Sequence, residues 1–444
     1  MLMGLGESVI HPTYGRGVVK ESRNKGFYLI VQFENGCTRQ VRVIEVQFEK
    51  TLPPPKSTIP AGVPAVRPMQ ESTFEARRII ESLRLGIAPY DRIEELTFGR
   101  EPETRKLGAW LQQPHVPAAL VCGDYGSGKT HLVRWTLGHA LHKGWAVALV
   151  EIDLDEVPFH KPKRIYYRAV TTLKYRDPHT GHCSDFRQLV CAGLRTGALR
   201  DHTYFQHLQG KDDEEMWEWI EGNEMTRPVR WAASSWTYDD RAYGYLPPLY
   251  GYSTAANLYC YLLSGLGSAA QSIGLRGLLL LFDEAESIAS AMYRYQTEAG
   301  RNVLLALLCT AGGDPSLLNS PDASDSTLKY CAIGPGRDVP FLFKRESGLK
   351  LCLATTPCTA REIRMAAREV GQGLLSLDLK PLNKAALDQA FRHIRQLYST
   401  AYGEKPRDVE VNDLLTAIEA SNGPTRCFVK GTVELLDIGR LGQQ

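Results

Sequence analysis

The sequence predicts an α/β fold: a mostly parallel sheet flanked by helices, followed by a helical C-terminal region and preceded by a small all-β module. Three observations predict it. Five short, almost wholly apolar runs (PAALVCG, AVALVEID, GLLLLFDE, LKLCLATT and LLSLDL) recur at wide intervals. Strands buried on both faces need that apolar character, and helical stretches between them favour parallel pairing. The first run leads into GDYGSGKTHLVRW, where three glycines, a lysine and a threonine fall within eight residues before a helical pattern begins. Upstream, residues 4–50 hold short β-rich runs broken by turns.

In chain order, VVKES, FYLIVQF and TRQVRVIEV are the strands of the N-terminal module (1–50), with YGRG and ENG as turns. Residues 51–70 contain six prolines, which remove amide donors and favour extended chain, so they form a linker. Helical periodicity begins at Glu71, and FEARRIIESLRLGIAP ends in a stop signal. The nucleotide-binding core is expected over 71–380. The long connection at about 176–275 holds an acidic stretch and an aromatic one. It is too long for a bare loop and is expected to be a helical insertion. Residues 381–444 form a helical lid, in which Leu387, Phe391, Ile394 and Tyr398 share one helix face.

With 444 residues the chain exceeds one ordinary core. A net charge of +2 excludes a global polyanion-binding surface and leaves only local patches. The ten cysteines lack CxxC pairs, and several sit in apolar runs, as in a reduced protein. No signal peptide is visible and the apolar runs are too short for a membrane span, so a cytoplasmic protein is expected.

The glycine-rich stretch fits G-x-x-x-x-G-K-[ST] through Gly123, Gly128, Lys129 and Thr130, set between strand and helix as a P-loop requires. Glycines turn successive amides toward one anion, and the helix N-terminus adds partial positive charge. The candidate cofactor-binding residues are Gly123, Asp124, Tyr125, Gly126, Ser127, Gly128, Lys129, Thr130 and His131, and the cofactors are ATP and Mg2+. Lys129 is assigned to the β- and γ-phosphates and the Thr130 hydroxyl to the metal. The acidic partner is expected on a neighbouring strand: Asp283 ends an apolar run, to hold the metal, and Glu284 is placed to orient or deprotonate water. Adjacent carboxylates after such a run also occur as helix caps.

Thr355 and Thr356 end the next strand, and Thr356 is preferred as a hydroxyl near the reacting phosphate. Asn422-Gly423-Pro424 starts a last helix with Arg426 in its first turn. Such residues resemble sensor 1 and sensor 2 of the AAA+ class of initiator/ORC type, and Gly99-Arg100-Glu101 resembles its opening G-R-E box. Arg361, Arg364 and Arg368 are candidates for an arginine acting on a neighbouring subunit. Residues 160–176 carry six Lys or Arg and no acid, with interleaved aromatics; they suit DNA contact or a solvated helix over buried tyrosines.

Two resemblances follow. His11, Pro12, Tyr14, Gly15 and Gly17 resemble the H-P-x-[FY]-G-x-G pattern of SH3/Tudor-like barrels in some repair helicases. Residues 71–444 resemble the BrxD-like ATP-binding proteins of BREX phage-defence systems, through RRIIESLRLGIAP, the G-R-E box, GDYGSGKTH, LLLLFDEAES, the ATTP strand and the GPTR turn. That resemblance implies an AAA+ ATPase that restricts foreign DNA, with an effector such as a helicase as partner; a homo-oligomer is expected of the motor reading. A DNA-associated motor or loader is the first reading, with DNA bound at 160–176 or by the N-terminal module. A slowly hydrolysing, nucleotide-gated switch that signals to an effector is the alternative. Glu284 favours the motor, because a pure binder needs no carboxylate aimed at water.

Overall fold

The computed structural model describes residues 8–11, 15–23, 28–33, 38–42, 47–48, 71–89, 92–210, 213–223, 246, 249, 251, 255–288, 293–318, 339–403 and 424–441. Two compact units are present, Met1–Pro68 and Met69–Gln444. The proline-rich stretch 51–70 and the Asn422-Gly423 turn lie outside the described residues.

The first unit is an antiparallel sheet of β1 (Ser8–His11), β2 (Gly15–Arg23), β3 (Tyr28–Phe33), β4 (Thr38–Arg42) and β5 (Gln47–Phe48), in the order β4-β3-β2-β1-β5. Its strands alternate as half-buried strands do: Val19 and Val31 are buried, whereas Val18 is exposed. Gly17 is required by close approach, since a Cβ there would stand 2.5 Å from Val31 Cγ1.

In the second unit every apolar run forms a strand: β6 (Ala118–Cys122), β7 (Ala146–Glu151), β10 (Leu278–Asp283), β11 (Leu349–Thr355) and β12 (Leu374–Asp378). A short hairpin of β8 (Tyr175–Arg176) and β9 (Cys183–Ser184) forms a separate two-stranded sheet beside β7. The five-stranded sheet is wholly parallel, in the order β12-β6-β11-β10-β7. One expectation is corrected here. The acidic strand β10 does not neighbour the P-loop strand β6; β11 lies between them, pairing Leu351 with Ala118 on one side and with Leu280 on the other. The apolar pattern reports burial on both faces but not lateral order, so it could not separate these placements.

Alternate strand residues feed two cores. Ala119, Val121, Leu279 and Leu281 pack with α2 (Glu101–Trp110) and α3 (Lys129–His142). Ala118, Leu120, Leu278 and Leu280 pack on the other face with α4 (Pro162–Thr172), α5 (Phe186–Arg195), α6 (Glu214–Ile220), α7 (Ala256–Ser272), α8 (Arg294–Gly312) and α9 (Pro357–Glu369). The helices of the 176–275 connection therefore share one continuous core with the sheet. α5 starts from a reciprocal cap between Asp185 and Gln188.

The last helices, α10 (Lys384–Tyr402) and α11 (Pro424–Leu441), pack against α1 (Glu71–Arg84). Ile80 and Leu83 of α1 meet Ile394, Tyr398, Val433 and Leu436, and each such burial contributes roughly 2 kcal/mol. Asp437 joins the three helices, accepting from Arg84 and from Tyr398 Oη at 2.7 Å. α1 is thus built into the lid.

His202 gives the fold an acid limit. It is fully buried, its Nδ1 accepts from the amides of Tyr204 and Phe205 at 3.2 Å each, and Phe205 stacks on its ring. Burial pushes its pKa from 6.5 down to about 3. Below about pH 6.5 the unfolded chain takes a proton that the folded one refuses. Stability should therefore be complete above that pH and fall by about 1.4 kcal/mol per pH unit on acidification toward pH 3. Urea midpoints from pH 7 to 4 check this, with a shallower slope expected for His202→Gln.

Candidate functional site

A cavity of about 550 Å³ opens at the carboxyl ends of β6, β7 and β10, where ligands of parallel sheets bind. The P-loop, the acidic strand end and the lid all line it.

The loop is shaped by its glycines. Gly126 and Gly128 have φ of 76° and 98°, a region that other residues rarely adopt. Gly128 is also the N-cap of α3, with no side chain capping the helix. The first-turn amides thus face the cavity with the helix dipole behind them. At Gly123 a Cβ would stand 2.4 Å from Ser127 Oγ, itself buried and without a hydrogen-bond partner. Arg100, buried beneath the loop, donates to the Ser127 carbonyl at 2.6 Å and pairs with Glu103 at 3.3 Å. This is the structural use of the Gly99-Arg100-Glu101 box, which the motif alone did not disclose.

Lys129 is 6% exposed. Its Nζ donates to the carbonyls of Gly123 at 3.1 Å and Asp124 at 3.3 Å, and stands 3.5 Å from Glu286 Oε1. The Thr130 hydroxyl lies near the buried carboxylate of Asp283. Burial raises the Asp283 pKa and the Thr130 hydroxyl opposes the shift.

Glu284 has φ of 55°, the only positive value at a non-glycine among the described residues. That conformation costs about 1–2 kcal/mol. Its amide turns back to Asp283 Oδ1 at 3.1 Å, and its side chain lies exposed on the cavity wall. Burial and then Glu286 raise its pKa, against the fields of Lys129 and Arg426. Arg426, in the first turn of α11, lines the same cavity, so core and lid meet there.

His131 lines the cavity and hydrogen-bonds Thr97 Oγ1 at 2.9 Å. Burial, then the nearby Arg100 and Arg134, push its pKa down to about 4, so it is neutral near pH 7. Asp124 lies in the loop and Tyr125 is largely exposed at the cavity rim. The lid side is apolar, with Ile87, Phe98, Leu387 and Phe428 among its lining.

Thr356 is half-buried as the N-cap of α9, one residue beyond β11, whereas Thr355 is fully buried. Neither threonine lines the cavity. Among the three arginines of α9, Arg364 is tied to Ser376 Oγ at 2.9 Å and to Asp378 at 2.5 Å, whereas Arg361 and Arg368 are exposed. Within 160–176, Tyr166 and Tyr175 are core residues, Arg164 donates to the Asp155 carbonyl at 2.8 Å, and Tyr167 is 36% exposed.

The hard oxygens of Thr130 and Asp283, both on the cavity wall, form a donor pair that fits Mg2+. The glycine cradle, open helix end and Lys129 form an anion site beside it.

Residues 72–189 match the family model of the BREX system ATP-binding protein BrxC/D. No curated protein matches the chain. The match spans α1, the Gly99-Arg100-Glu101 box, the complete P-loop and α4; the acidic strand and α10–α11 lie beyond it. It agrees with the resemblance read from the motifs: over residues 72–189 this chain is similar to the BrxC/D ATP-binding proteins of BREX systems.

Proposed function

We propose that this chain binds ATP with Mg2+ in the cavity described, hydrolyses it, and serves in defence against phage and other foreign DNA as an AAA+ motor or loader. The convergence of P-loop, Thr130–Asp283 pair and Glu284 on one cavity supports this reading above any other observation. The loop amides and Lys129 hold the phosphates, and Thr130 and Asp283 hold the metal. Mg2+ supplies charge neutralisation of the phosphates. Glu284 orients water and accepts its proton, helped by a raised pKa. Arg426 reaches the nucleotide from the lid, and the Thr356 hydroxyl, one residue beyond β11, is assigned to the terminal phosphate.

Because α1 is built into the lid, nucleotide-driven lid movement would carry α1 with it. The N-terminal sheet, read as a Tudor-like module, would dock protein or DNA. Exposed Arg361 or Arg368 would act on the nucleotide of a neighbouring copy in an oligomer, and the basic side chains of 160–176 would meet DNA phosphates. No described helix is long and apolar enough to cross a membrane.

Steady-state ATP turnover, measured with and without added DNA, tests the reading. DNA-stimulated turnover is expected. Tight ATP retention with negligible turnover under both conditions would overturn the motor in favour of the switch.

A further inference from the structure

Lys129 is not held by its own loop alone. Two of its ammonium contacts go to the carbonyls of Gly123 and Asp124, and a carboxylate, Glu286, stands on the remaining side at 3.5 Å. Glu286 lies in the 3₁₀ turn Ala285–Ile288, three residues after the metal-binding candidate Asp283. Its main chain is anchored independently, since the Glu286 carbonyl accepts from Thr359 Oγ1 of α9 at 3.3 Å. The two side chains are only 7% and 23% exposed, so solvent screens the pair weakly. A site built solely to grip a polyanion has no use for a fixed negative charge on its only P-loop cation.

We propose that Glu286 is a counter-charge that weakens the grip of Lys129 on phosphate and so sets the rate at which nucleotide leaves. This rests on the proposed nucleotide site. An entering phosphate must share the ammonium group with Glu286 and meets the repulsion of its carboxylate. When the spent nucleotide departs, Glu286 takes the cation back, so Lys129 is never left buried without an anion. Glu286 is a positioning residue that acts through Lys129, distinct from Glu284, which faces the cavity itself.

The test is the affinity of wild type, Glu286→Gln and Glu286→Asp for ATP and ADP, read by isothermal calorimetry, with ADP release followed by stopped-flow. Glu286→Gln keeps the side chain's size and removes its charge. It should bind both nucleotides about tenfold more tightly, mainly through slower release. Glu286→Asp, which keeps the charge, should stay near wild type. A thermal melt like that of wild type establishes that the Gln variant is folded. Unchanged or weaker binding by a folded Gln variant would overturn the counter-charge role while leaving the nucleotide site intact. Absence of ATP binding by wild type would instead remove the site on which the role depends.

Discussion

Glu284→Gln should lower ATP turnover by about 10²–10⁴-fold while leaving ATP affinity close to that of wild type. The side chain touches neither the P-loop backbone nor the Thr130–Asp283 pair in any hydrogen bond described, so its amide would not disturb phosphate or metal binding. What the substitution removes is a carboxylate with a raised pKa, set on the cavity wall within the fields of Lys129 and Arg426. The backbone at this position, with φ of 55°, is strained to present that group. Glutamine adopts the same φ at similar cost, so folding should be little affected. Phosphate release in single turnover, beside calorimetric affinity, separates the two quantities. A Gln variant that turns over at the wild-type rate would move the role of base elsewhere in the cavity.

Lys129→Ala should weaken ATP binding by about 100-fold or more. The lysine is the P-loop's one cation, its ammonium is nearly sealed from water, and a charge-assisted hydrogen bond to phosphate is correspondingly strong. The variant also removes the ammonium beside Glu286, so that its negative charge acts on the anion site uncompensated by Lys129, which adds repulsion to the lost attraction. Lys129→Arg should not restore full affinity: its planar fork is bulkier, and Gly123 and Asp124 carbonyls already crowd the ammonium at 3.1 and 3.3 Å.

Much of this site was legible because its parts are local. The turn at Gly126 and Gly128, Lys129 at the helix start, and the Asp283–Glu284 pair closing β10 all follow from a few adjacent residues. Every apolar run is a strand, including the run containing Lys350, whose ammonium is hidden by donating to the Gln113 and Val116 carbonyls at 2.6 Å each. What escaped depends on long-range contacts. The insertion of β11 between β6 and β10 leaves no mark in patterns that are apolar on both faces. The packing of α1 into the lid joins residues more than three hundred positions apart, through Arg84 and Asp437. Arg100 and Glu286 carry no spacing signal, because their partners, Ser127 O and Lys129, are brought to them only by the fold. Tyr166 and Tyr175 are buried in the core, as the reading of 160–176 as a solvated helix over buried tyrosines expects.

The central claim is that the amides of one glycine-bent loop and the ammonium of Lys129 enclose the phosphates of ATP. Calorimetric titration of the full chain with ATP and Mg2+, run in parallel on wild type and on folded Lys129→Ala, tests it most directly. The account predicts a single saturable site on wild type, weakened at least about 100-fold in the variant. Wild-type protein that gives no binding heat, or a variant that binds as wild type does, would contradict it.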